Sequence, residues 1–358
     1  MKKKRRIIFR LIEIIIIIGV LSGIGLCFYL VSPVSSKNEK VLVTIEEKTN
    51  TREIINLLKK DGLIKSRKFT LLYVKLNNIN NIQHGNFELN RNMGLKEIFK
   101  TLTSTPKQAT KTFTFHEGKN MRGFIKTITE NTKITENDII NTLNDKEYIK
   151  SLMDEYWFLT DDILNDNIYY SLEGYLYPDT YEIYEKSTIK DIFKKMLDQE
   201  EKVLDKYKTK IDESNMGIHK IITLASIAEL EGKTTDDRKN IIGVFYNRLN
   251  TNLPLGSDVT TYYGAKVDMA DRDLYQAEID DPNAYNTRPM SSAGKLPVGP
   301  ICNPSSDAID AAINYIKNDY FYFVADNTGK LYFSKTDAEH TSLIEKLKNE
   351  GKWDVYGE

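Results

Sequence analysis

The chain has 358 residues, 41% of them apolar and 28% charged, which suits folded globular material and excludes a disordered tail. Of its two cysteines, Cys27 sits in an apolar run and only Cys302 lies outside it, so the outer part has no internal disulfide and no cysteine metal cluster. Six of the 50 basic residues and one of the 51 acidic ones fall in the first 36 positions, leaving the remainder at a net charge of −6, which disfavours nucleic acid as a partner.

MKKKRR opens a basic cytoplasmic tail over residues 1–10. The 18 uncharged residues from Ile14 to Val31, with Leu11 and Ile12 ahead of them, predict a transmembrane helix over 11–31. The basic flank keeps the N-terminus inside and puts the rest of the chain outside. No small-residue cleavage site follows the run. Leu26 precedes Cys27, where a lipoprotein signal needs a small residue. A retained single-pass anchor is therefore expected.

Residues 32–40 read as a polar linker. VLVTIEE alternates like a strand, and TNTREIINLLKKDGLI is a capped helix ending at Gly62. SRKFTLLYVKLNN is a second helix with Ser66 as its cap, GNFELN a short strand, and MGLKEIFKTLTS a third helix closed by Pro106. Together these make a small α/β module over 41–108. TFHEGKNMRGFI then matches TIEEKTNTREII at a 70-residue offset, pairing Glu47, Asn50, Arg52 and Ile55 with Glu117, Asn120, Arg122 and Ile125.

Residues 121–215 read as mostly helical. HKIITLASIAELEG and DDRKNIIGVFYNRLN are two further helices, followed by Gly-, Pro- and Asn-rich loops suited to binding. SDAIDAAINYIK is a helix, YFYFVAD and KLYFSK form a hairpin around NTG, and DAEHTSLIEKLKNE is the last helix. The fold class is α+β.

The segment LASIAELEG, residues 224–232, holds the most informative acids. On a helical wheel Glu229 falls between Ile222 and Ala225, while Glu231 falls between Leu224 and Ile227, on nearly the opposite side. One helix therefore cannot present them as a carboxylate pair. Gly232 reads as a helix stop, so Glu231 is expected to fray toward water or to pair with a base. Apolar neighbours around Glu229 would raise its pKa and suit it to donate a proton. A buried salt bridge, or a bond to a loop, fits the same pattern. Asp258 in GSDVTTYYG, with Tyr262 and Tyr263, suits either a polar ligand or loop stabilisation. Asn247 and Arg248 in FYNRL either face the same cleft or cap their helix. His84, His116, His219 and His340 lack metal-ligand spacing, and no metal or other cofactor is expected.

LASIAELEG, VFYNRLNTNLPLGSD, TTYYG, AYNTR, GPICNPSSDAIDAAIN, DYFYFVAD and FSKTDAEH occur in that order, with SLEGYLYPDTY and TFHEG upstream. Over residues 41–345 they closely resemble the membrane-anchored endolytic murein transglycosylase, or YceG-like, family. The resemblance implies a LysM-like subdomain at 41–108 and a mixed α+β catalytic domain at 109–358 with a helix-borne glutamate. It implies cleavage of the β-1,4 bond between N-acetylmuramic acid and N-acetylglucosamine in nascent glycan strands, a lyase reaction that leaves 1,6-anhydro ends. Through the family's A-S-I-x-E motif it implies Glu229 as the catalytic acid, with Asn247, Asp258, Tyr262, Tyr263, Asn286, Glu173 and Tyr181 holding the sugars. Peptidoglycan polymerases of elongation or division are the implied partners. A silent, membrane-tethered peptidoglycan-binding scaffold is the rival. Gly256 stands where many relatives carry Gln, and Leu230 where Lys is usual.

Overall fold

The structure is a computed structural model and describes residues 2–46, 48–104, 110–184, 187–214 and 216–353, with side chains from residue 14 onward. Glu47 and Pro106, named above, lie outside these residues. The chain divides into two compact units, Met1–Thr110 and Lys111–Glu358.

In the first unit, α1 runs from Lys2 to Val31. Its stretch Ile14–Val31 has a mean hydropathy of 2.7, and none of it is buried. Eighteen residues at the helical rise reach about 27 Å, close to the hydrocarbon thickness of a bilayer. An uncovered helix this apolar is suited to lipid. β1 (Lys40–Ile45) then pairs antiparallel with β2 (Gly85–Asn90), Lys40 opposite Asn90 and Ile45 opposite Gly85. The alternation in VLVTI puts Val43 and Ile45 in the core beside Phe87 and Leu89. α2 (Thr51–Lys60), α3 (Arg67–Leu76) and α4 (Leu95–Leu102) complete the unit. Asn50 caps α2 by accepting from the N–H groups of Arg52 and Glu53, and Glu53 returns a bond to the Asn50 N–H. Ser66 caps α3 through the Phe69 N–H.

The second unit begins with β3 (Thr110–Thr114), α5 (Met121–Asn131), α6 (Glu136–Asn144) and α7 (Lys146–Glu155). Asn120 caps α5 as Asn50 caps α2, so both copies of the 70-residue match end a strand and start a helix. β4 (Thr180–Tyr184), which pairs with β3, precedes α8 (Ile189–Leu204), α9 (Lys208–Glu213), α10 (Ile218–Glu231) and α11 (Thr235–Asn250). After α12 (Asp258–Gly264), α13 (Gln276–Ile279) and α14 (Ser306–Ile313), the hairpin β5 (Tyr322–Ala325) and β6 (Leu331–Ser334) leads to α15 (Asp337–Asn349). Helices with three two-stranded sheets among the described residues make a mixed α+β fold.

α10 is the centre of the second core. Apart from Lys220, every residue from Ile218 to Ala228 is buried, as befits a helix that is apolar nearly all round. Its small polar residues turn inward. Thr223 donates to the His219 carbonyl at 2.7 Å, and Ser226 Oγ accepts from the Ile301 N–H at 3.0 Å, stitching the 299–305 loop to the helix. Gly232 does end α10, but in extended backbone at φ −112° and not in a left-handed turn. The reason for glycine is space, because a Cβ there would lie 2.8 Å from Arg238 Cγ and 3.0 Å from its backbone nitrogen.

Glu200 of α8 is fully buried, and its Oε1 has no hydrogen-bond partner among the described residues. Burial pushes its pKa well above the ordinary carboxyl range. The folded state therefore keeps a proton that the unfolded chain releases, and stability falls as pH rises above the unfolded carboxyl value. Glu200→Met is expected to raise Tm by about 2–4 °C for each kcal/mol recovered. Melting curves of the two proteins should diverge progressively from pH 5 to pH 8; a constant gap would contradict this reading.

Candidate active site

A cavity of about 440 Å³ lies at the C-terminal end of α10. Glu231 forms part of its wall. Arg248 of α11, Leu255, Gly256 and Asp258, residues 323–327, Leu331, His340 of α15 and Trp353 supply the rest. Glu231 does not fray into water as the glycine stop suggested. It is partly buried, and Ser257 Oγ donates to its Oε1 at 2.6 Å. Burial pushes its pKa up, while the Ser257 bond and the charges of Arg288 and Arg248 pull the other way without cancelling the rise.

Arg248 binds this corner together. Its Nη1 donates to the Leu255 carbonyl at 2.6 Å, its Nε donates to the Phe321 carbonyl at 2.6 Å, and its guanidinium lies 5.0 Å from the Tyr322 ring centroid. Gly256 has φ +64°, and a Cβ there would come within 3.0 Å of Arg248 Nη1. In this chain the guanidinium occupies ground that a side chain at 256 would need. Asp258 stands at the cavity wall, paired with Arg288, whose Nε donates to it at 2.5 Å.

Glu229 has a different setting. Its Oε1 accepts from Arg238 at 2.8 Å, and its Oε2 accepts from the Ser305 N–H at 2.9 Å and the Ser305 hydroxyl at 2.5 Å. Ser305 in turn caps α14 through the Ala308 N–H. The carboxylate is thus committed to tying α10, α11 and α14 together. It is not among the residues that line the Glu231 cavity.

The remaining sequence candidates hydrogen-bond within the protein. Asn247 donates to the carbonyls of Asn318 and Tyr320, at 3.0 and 2.8 Å. Asn286, 3% exposed, donates to the carbonyls of Ile279 and Asp281 and accepts from Thr261. Tyr181 is buried against Phe115 and donates to the Tyr177 carbonyl. Tyr263 donates to Glu173 at 2.9 Å, and Glu173 also accepts from the Met121 N–H. Glu173 is fully buried, which raises its pKa to about 7. Tyr262 is partly exposed, and its hydroxyl reaches Asp273 at 3.5 Å. Of the seven residues that the resemblance implies hold the sugars, only Asp258 lines the cavity with Glu231. Ser257, Arg288 and His340 fall inside motifs of the resemblance without an assigned role, and Trp353 lies beyond them; their relation to Glu231 depends on distant segments meeting.

A larger groove of about 760 Å³ lies in the same unit, between residues 130–142 on one side and residues 183, 184 and 187–190 on the other. Its acids, Glu130 and Asp138, are exposed, and Asp138 is spent on the Thr135 cap of α6. Volume alone therefore does not select it for acid chemistry.

The C-terminal end of α10 thus places a carboxyl with a burial-raised pKa, bonded by Ser257 and near Arg248 and Arg288, on a cavity wall. Residues 43–346 match the YceG-like family, and the chain belongs to it. It is 35% identical over 328 residues to the endolytic murein transglycosylase of Bacillus subtilis (strain 168), across 90% of this chain and 89% of that one. It is 32% identical over 336 residues to the endolytic murein transglycosylase of Streptococcus pneumoniae serotype 2 (strain D39 / NCTC 7466), across 88% of this chain and 60% of that one. The 2.6 Å crystal structure of a YceG-like protein from Listeria monocytogenes is similar with a TM-score of 0.60 and 32% identity, over 86% of this chain and 100% of that one.

Proposed function

We propose that this chain is a membrane-anchored endolytic murein transglycosylase whose proton donor is Glu231. The observation that supports the assignment is that the Glu231 carboxyl, held by Ser257 and with its pKa raised by burial, stands on the wall of the 440 Å³ cavity. Protonated Glu231 gives its proton to the glycosidic oxygen as the bond from C1 of N-acetylmuramic acid breaks. The resulting carboxylate then takes the proton from that sugar's 6-hydroxyl, whose oxygen bonds to C1 and closes the 1,6-anhydro ring. No water is consumed, so one carboxyl suffices where hydrolases need two. Ser257 holds the carboxyl in place. Arg248 and Arg288 favour its charged form once the proton has left.

With α1 in the membrane and its basic end in the cytoplasm, the second unit works on the outer face and reaches newly made strands first. The 41–108 module acts as a LysM-like glycan-binding or positioning unit. Polymerases of elongation or division are the partners that would supply such strands. The test is to incubate the full-length protein in detergent with uncrosslinked glycan strands and weigh the products. Anhydro ends are expected. Reducing ends would mean hydrolysis, with Asp258 as second carboxylate, and strand binding without turnover would mean a scaffold.

A further inference from the structure

Part of the Glu231 cavity is built by the end of the chain. After α15 the backbone turns at Gly351, whose N–H donates to the Lys348 carbonyl at 3.1 Å. The Lys352 N–H donates to the Leu347 carbonyl at 2.9 Å, and the Asn327 N–H donates to the Lys352 carbonyl at 2.9 Å. Asn327 Nδ2 adds a bond to the Gly351 carbonyl at 3.2 Å. These bonds pin the segment to the hairpin turn and set Trp353 into the cavity wall. The indole is partly exposed and does not pack against the large core of its unit, so core filling does not account for it.

His340, one helix earlier, lines the same cavity. Its ring stacks on Tyr322 at 5.3 Å and 26°, and its Nδ1 is buried without a hydrogen-bond partner among the described residues. Burial and the neighbouring Arg248 hold its pKa down, against a smaller opposing effect of Asp337. The imidazole is therefore kept neutral, with one nitrogen to donate and one to accept. The Lys348 ammonium lies 5.9 Å from the Trp353 ring centroid. An indole and a neutral imidazole lining one cavity match a pyranose, which offers an apolar C–H face and a rim of hydroxyl or acetamido groups.

Resting on the transglycosylase reading, we infer that Trp353 and His340 form a saccharide subsite within the Glu231 cavity, the indole stacking on a sugar ring and the imidazole hydrogen-bonding its rim. The chain has two tryptophans, so Trp157→Phe leaves Trp353 as the sole indole reporter. In the full-length protein in detergent, with Glu231→Gln added to stop turnover, alternating N-acetylglucosamine–N-acetylmuramic acid oligosaccharides should shift Trp353 emission saturably. With Glu231 intact, Trp353→Ala should raise KM about tenfold and leave kcat within about twofold, the mark of binding shared by ground and transition states. Trp353→Phe should recover most of the loss, and His340→Ala should raise KM in the same way. Unchanged emission while calorimetry shows the oligosaccharide bound, or a wild-type KM in Trp353→Ala, overturns the subsite. An emission shift in a protein that makes no anhydro ends would leave the subsite standing and overturn the transglycosylase reading. Absence of any oligosaccharide binding would overturn both.

Discussion

Replacing Glu231 with glutamine is expected to lower kcat about 1,000-fold with little change in KM, the scale of losing a general acid. Glutamine keeps the shape and can still accept the Ser257 hydrogen bond, so the melting temperature should hold while the transferable proton is gone. The wild-type pH profile checks the same idea. Burial raises the Glu231 pKa, and bond breaking needs the protonated form, so activity should fall as pH climbs through that raised value. Arg288 lowers the pKa by its charge, so Arg288→Gln should move the alkaline limb to higher pH. A wild-type rate in Glu231→Gln would place the acid elsewhere.

What could be read from the chain beforehand was local. A helix long and apolar enough to span a membrane needs only length and apolarity, and the caps at Asn50, Ser66 and Asn120 need only partners two or three residues on. The wheel separated Glu229 from Glu231, and the two have no hydrogen-bond partner in common. It did not reveal what would arrive on each side. The flank of Glu229 looked apolar within its own helix, yet Arg238 comes to it from the next helix and Ser305 from 76 residues away. The end of α10 looked open, yet the 255–258 loop, the β5–β6 hairpin and α15 enclose it. The resemblance put Asn247 and Asn286 among the sugar-holding residues, and their carbonyl partners in distant loops leave no trace in a single sequence.

The opposite behaviour is expected at Glu229. Its side chain is 7% exposed and that of Arg238 12%, so removing one charge strands the other away from water. Arg238→Ala should cost about 3 kcal/mol, near the low end for a broken buried pair because Ser305 still donates twice. In a unit of this size that is a fall in Tm of about 6–12 °C. Glu229→Gln keeps an acceptor and should cost only about 1–2 kcal/mol. Changing both partners to methionine should cost less than the sum of the two single methionine changes, and a thermodynamic cycle of wild type, the two single methionine variants and the double variant would measure that coupling. Turnover per folded molecule should stay within about tenfold of wild type in Glu229→Gln, since its carboxylate fastens three helices and does not line the cavity. If that variant instead melts like wild type and makes no anhydro ends, Glu229 is the acid and Glu231 only shapes its surroundings.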